Sequence, residues 1–185
     1  QTPEIIENEF LELMRLRPTM SQFLIYGPAY GTPLNERMKE EGRLLPTAEE
    51  PDKHDGFNLV FEHPNIGVEE MQQIQRQLFH REYELLGPSV HRVIEDWTNG
   101  YANLKDHPAE RVRAKAEWYS ERVHRAMAML PASKKHLPPG DAGRVDALFQ
   151  RISDETGPQT FTERSLTRFM PALMRWTEFK DRHGL

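Results

Sequence analysis

The chain has 185 residues, no cysteine, a net charge of −5, and 29% charged against 37% hydrophobic residues. The missing thiols exclude disulfides, thiol nucleophiles, zinc–thiolate sites and iron–sulfur ligation by this chain. The 24 Lys and Arg are interspersed with 29 acidic residues, which argues weakly against nucleic acid because phosphate binding needs a concentrated basic surface.

No apolar stretch approaches the ~20 residues of a bilayer span, and Gln1-Thr2-Pro3 is not a signal peptide. The expectation is therefore a cytoplasmic segment of a longer protein with no membrane partner. A low apolar fraction suits long helices that carry one buried stripe and wide solvated faces.

The spacing of Ile5, Ile6, Phe10, Leu13 and Leu16 predicts a helix over 4–16, broken at Arg17-Pro18. Phe23 to Tyr26 is a short apolar run bounded by Gly27-Pro28, and it reads as a buried strand. Thr32 and Pro33 suit the N-cap and first residue of a helix that stops at Gly42. Residues 43–56 read as loop, and Phe57 to Phe61 as a second short strand before the turn His63-Pro64-Asn65.

Beyond this point helical stripes dominate. Met71, Ile74, Leu78 and Leu85 mark one; Val90, Val93, Ile94, Trp97, Tyr101 and Leu104 the next. Pro108 opens a third, with Val112, Tyr119, Val123, Met127 and Leu130, closed by Pro131 and Pro138-Pro139-Gly140. Val145, Leu148, Phe149 and Ile152 make a fourth. Thr160 and Glu163 form a capping box before a fifth, with Leu166, Phe169, Leu173, Trp176 and Phe179, and Pro171 predicts a kink or break within it. The expected fold is mainly α: a short α/β segment over 1–65, then a bundle of about five helices over 66–185.

The run Phe23 to Leu34, ending Gly31-Thr32-Pro33-Leu34, followed by Glu40-Glu41-Gly42-Arg43-Leu44 and by Asp55 to Asn65, resembles the end of a radical SAM barrel in the cobalamin-binding branch of that superfamily. Anaerobic magnesium-protoporphyrin IX monomethyl ester oxidative cyclases belong to that branch. The likeness covers residues 13–70; Gly27 and Tyr30 stand where the family has Thr and Pro, and Gly67-Val68 where it often has Ser-Pro. The resemblance implies a parent enzyme with a [4Fe–4S] cluster, S-adenosylmethionine and cobalamin, all held upstream, and no cofactor in this segment. It implies that 1–65 is a remnant of the barrel's C-terminal end, and that the chain's partners are its own barrel and cobalamin domain. It also places Tyr26, Pro28 and Tyr30 near S-adenosylmethionine or substrate. Homodimerisation through an open strand edge is a further expectation.

Other candidates have plainer readings. His63 reads as a turn histidine rather than a metal or cobalamin ligand. His80 and Glu84 read as a surface pair, since a second histidine on that face is missing. Trp97, Tyr101, Trp118, Tyr119 and Trp176 read as helix packing before they read as an aromatic pocket. Ser120 and Ser165 lack partners for a triad, and Arg111, Arg113, Lys115, Arg122 and Arg125 read as a solvated face. The alternative to an enzyme segment is an autonomous helical protein-interaction module.

Overall fold

The computed structural model describes residues 1–137 and 141–183 and is mainly helical, with eight α-helices and no strand among the described residues. The chain divides into two compact units, Gln1–Leu86 and Gly87–Leu185.

In the first unit, α1 (Pro3–Arg15) begins where Thr2 caps it, the Thr2 hydroxyl accepting from the Ile5 amide at 3.4 Å. It ends at Arg17, which takes a positive φ of 48° just before Pro18. Helix α2 (Pro33–Glu40) starts as its sequence predicts, with Thr32 as N-cap and Pro33 in the first turn, and Gly42 at φ +68° turns the chain away. Helix α3 (Val68–Leu86) packs on α1. Arg81 fixes that packing: its Nη2 donates to Glu7 Oε1 at 2.8 Å and its guanidinium lies 4.7 Å from the centre of the Phe10 ring. The core of this unit gathers Ile25, Met38, Leu59 and Phe61 from two irregular segments and one helix.

The two expected strands do not form. Segment 57–61 meets 43–45 instead of 23–26, through one antiparallel bridge, Leu44 to Phe61. Leu45 N donates to Val60 O at 3.0 Å and Glu62 N to Arg43 O at 2.7 Å. The reason is local. Asp55 Oδ1 accepts from the amides of Phe57 and Asn58, at 2.7 and 3.1 Å, so the donors that would start a ladder are already used. The carbonyls of Phe23 and Gly56 both accept from Gln75 Nε2, at 2.6 and 2.8 Å. Only Ile25 N to Gly56 O, at 2.7 Å, links the two segments by backbone. The self-association expected at an open strand edge thus lacks its strand.

The second unit carries α4 (Ser89–Leu104), α5 (Glu110–Met127), α6 (Leu130–Ser133), α7 (Ala142–Thr156) and α8 (Phe161–His183). Its core is Ile94, Val123, Met127, Leu130, Val145 and Ile152, the apolar stripes read from the sequence. Gly100 lets α5 close on α4, since a Cβ there would lie 2.8 Å from Tyr119 Cε2. Gly157 at φ +91° ends α7. The capping box at the start of α8 is present: Thr160 N donates to Glu163 Oε2 at 2.7 Å, and Glu163 N to Thr160 Oγ1 at 3.3 Å. Helix α8 runs through Pro171 without the expected break, although proline has no N–H to donate to the preceding turn. The expected stop at Pro138-Pro139-Gly140 lies outside the described residues.

Candidate functional site

The loop from Tyr26 to Thr32 is built from inside outwards. Pro28 is fully buried, and its carbonyl accepts from the buried Asn35 Nδ2 at 3.1 Å. Gly31 at φ +71° reverses the chain, and Thr32 Oγ1 donates to Ala29 O at 2.7 Å while capping α2. The Tyr30 hydroxyl donates to Ala48 O, and the same carbonyl meets His54 Nε2 at 3.1 Å. The two rings lie 4.6 Å apart. Because a carbonyl only accepts, His54 carries its proton on Nε2.

The three sequence-predicted residues therefore share one loop but do different things. Pro28 is a packing residue beneath the loop. Tyr30 fastens the loop to residues 46–54. Tyr26, 60% exposed, lines a cleft of about 580 Å³ that runs between α1, segment 22–26 and α3.

Phe23, Met71, Ile74 and Leu78 stand in the apolar part of the cleft wall, and Gln1, Glu9, Gln22, His63 and Gln75 in the polar part. Gln75 spends its amide protons on the carbonyls of Phe23 and Gly56. His63 Nδ1 accepts from the Asn65 amide at 3.3 Å, the role of a turn histidine. Burial holds the His63 pKa below its usual value, with the charges of the Gln1 amino group and the Arg43 guanidinium adding to the effect. An imidazole, a carboxylate and a tyrosine around this cleft can orient a ligand; they form no nucleophile–base pair.

Gln75 and His54 are the site residues that the sequence reading missed. The signal for Gln75 was its register: it stands four residues after Met71 and on the buried side, where the apolar stripe should continue. Glu82 is buried at the next such position, while Leu85 faces solvent. A polar residue at a stripe position marks a buried hydrogen bond.

In the second unit, His91 Nε2 lies 2.8 Å from Ser133 Oγ, a pairing that sequence inspection did not find. The serine hydroxyl donates to Leu130 O at 2.7 Å, so its one proton is spent and the imidazole must be the donor. That arrangement fastens α4 to α6 and does not activate a nucleophile. His124 Nε2 is 3.1 Å from Thr156 O, while its Nδ1 lies 3.5 Å from Glu163 Oε2. Burial works to raise the Glu163 pKa, but the hydrogen bonds from Thr160 and the nearby His124 bring it below the usual value. The predicted pair His80–Glu84 is present at 3.2 Å on the surface of α3.

Trp97, Trp118 and Tyr119 form an aromatic cluster, whereas Trp176, expected to pack, is 58% exposed and stacks on Phe179. Trp97 meets Trp118 edge to face at 6.1 Å, and Lys115 Nζ and Arg122 Cζ stand 3.7 and 3.5 Å from the Trp118 ring centre. Lys115 and Arg122, expected as part of a solvated face, are held on that ring.

No group of three or more His, Asp or Glu able to hold a metal ion occurs among the described residues, and no thiol exists in the chain. A thiolate-bound cluster does not fit this segment. No helix among the described residues is long and apolar enough to cross a membrane. No family model matches the chain, and neither a curated protein nor a solved structure does.

Proposed function

We propose that this chain is the C-terminal portion of a cobalamin-binding radical SAM enzyme of the oxidative cyclase-like branch, where it completes and covers the catalytic barrel. The observation that carries the reading is the segment 23–26. Its side chains alternate as in a strand: Ile25 is buried and Phe23 half-buried, while Leu24 and Tyr26 face outward at 53% and 60% exposure. A half-solvated strand carries polar residues on its outer side; a strand apolar on both faces is the kind that a parallel sheet covers twice. The carbonyls of Phe23 and Gly56 are held by one side-chain carboxamide where a sheet would supply a ladder.

The loop that follows, with Tyr26 exposed at its start, lies at the carboxyl end of that segment, the end at which β/α barrels gather their active sites. In this reading the cluster, S-adenosylmethionine and cobalamin sit in the upstream polypeptide, and this segment packs over the barrel and keeps water from it.

The test is the coding sequence ahead of Gln1. A three-cysteine Cys-x3-Cys-x2-Cys loop is expected there. Anaerobic reconstitution of the longer polypeptide should yield iron–sulfur absorption, and the 185-residue chain alone should yield none. A reading frame with no barrel ahead of this segment removes the proposal.

A second reading, an autonomous helical interaction module, is favoured by the unit Gly87–Leu185, which has a closed core of its own around Val123, Met127, Leu130 and Ile152. Expression of residues 87–185 alone as a cooperatively folding domain is what that reading requires.

A further inference from the structure

Helix α5 carries most of its cations on one side. Arg111, Lys115, Trp118, Arg122 and Arg125 fall within about 80° of one another around its axis, turned away from the buried Ala116, Val123 and Met127. Arg111, Lys115 and Arg125 are exposed, and Trp118 keeps 36% of its surface in solvent. Cations on a solvated helix ordinarily pair with carboxylates three or four residues away. Here Glu110, Glu117 and Glu121 stand together on one flank, and none of the four cations is ion-paired to a carboxylate among the described residues.

Two of the four are held by the indole instead. Lys115 Nζ and Arg122 Cζ, at 3.7 and 3.5 Å from the Trp118 ring centre, would collide if they shared a face, so they cover both. Arg122 Nη1 also donates to Trp118 O at 3.2 Å. A ring orders a cation without neutralising it as a carboxylate does. An incoming anion therefore meets charges whose side chains have already given up much of their rotamer entropy.

The size and surroundings of the stripe select the anion. Arg111 to Arg125 spans about 21 Å along the helix, the reach of about six extended residues. Arginine forks match carboxylates and phosphates alike, but nucleic acid is the poorer fit. Single strands gain affinity by stacking bases on aromatic faces, and both faces of Trp118 are covered. A duplex is wide enough to meet the acidic flank, and the net charge of −5 repels a long polyanion. A narrow peptide bearing carboxylates avoids that flank and can lay an apolar side chain on the open edge of the indole.

We propose that the stripe Arg111, Lys115, Trp118, Arg122 and Arg125 on α5 docks an acidic segment of a partner protein. The proposal rests on the interaction-module reading of Gly87–Leu185 and gives that module its class of partner. Cooperative folding of residues 87–185 tests the module; peptide binding by the whole chain tests its partner.

The probe is a fluorescein-labelled peptide of about twelve residues, with about six glutamates around a central leucine pair. Its anisotropy, titrated with the 185-residue chain at low ionic strength, should show saturable binding in the micromolar range. Affinity should fall about tenfold as salt rises from about 20 to 200 mM, because screening shortens the reach of exposed charges. Arg111→Gln combined with Arg125→Gln should weaken binding about tenfold. Arg113 is the control: it lies on another side of α5 and donates to the carbonyls of His107 and Pro108. Arg113→Gln should leave the affinity as it was, with far-UV circular dichroism reporting that both variants are folded. No saturable binding, a loss at Arg113 as large as in the stripe variant, or tighter binding of a thymidine oligonucleotide of equal charge would each overturn the proposal.

Discussion

In Gly87–Leu185 the core is made by helices alone, and its central residues, Val123, Met127, Leu130 and Ile152, have no exposure at all. In Gln1–Leu86 the core is drawn from loops: Leu59, Val60 and Phe61 arrive on an irregular segment, and a carboxamide on α3 holds two backbone carbonyls in place. Helices satisfy their own backbone groups, so a helical core needs only apolar side chains. A loop-built core must find a partner for each buried polar group, and one misplaced side chain leaves several unsatisfied. The first unit should therefore be the more sensitive to polar substitutions and the second to changes of volume.

That contrast can be broken at four points. Ile152→Ala should cost about 2–5 kcal/mol, the price of an unfilled core site, read as a lower urea midpoint by far-UV circular dichroism. A cost under about 1 kcal/mol would mean that the second core is loosely packed.

Gln75→Leu keeps the volume but removes both donated hydrogen bonds from the carbonyls of Phe23 and Gly56. It should cost about 1–3 kcal/mol, with faster hydrogen exchange at the Ile25 amide. An unchanged exchange rate would show that the carboxamide does not hold the segment.

Thr160→Ala removes one side of the capping box and should cost about 1 kcal/mol. Increased exchange confined to the first turn of α8 is the measurement. The backbone amide of residue 160 still donates to the Glu163 carboxylate in this variant, so the Glu163 pKa should rise only by the part that the Thr160 hydroxyl contributes.

The smallest effect is expected from His91. Burial lowers its pKa, Arg144 adds to that, and Asp141 opposes. The folded state then binds fewer protons than the unfolded one just below pH 6.5, so stability is present above that pH. It is lost as pH falls from there through the folded pKa. His91→Gln should flatten the dependence of thermal midpoint on pH in that window. A slope that survives the substitution would place the titrating group elsewhere.

Much of the helical half was legible because its signals are local. Val123, Met127 and Leu130 keep helical spacing and all are buried, and Thr160 with Glu163 announces the α8 start. Thr32-Pro33 and Gly42 likewise mark both ends of α2. What failed depends on distant partners. Segment 23–26 has the composition of a strand, but pairing is decided by whether residues 56–58 have free backbone groups, and Asp55 takes two of the donors. The stripe on α8 had the right period and the opposite destination: periodicity says that Leu166, Phe169, Leu173 and Trp176 share a face, not that this chain covers it. At the site, the shared loop of Tyr26, Pro28 and Tyr30 could be read, whereas the tie from the Tyr30 hydroxyl to Ala48, beside His54, depends on a distant segment.

The placement of the three indoles has a practical consequence. Trp97, Trp118 and Trp176 all fall beyond residue 86, so tryptophan emission has its source in the second unit, while Tyr26, Tyr30 and Tyr83 lie in the first. A ligand entering beside Tyr26 would meet no indole in its own unit, but would alter tyrosine absorbance or an engineered label there. Binding screens on this polypeptide therefore need a probe placed in its first half.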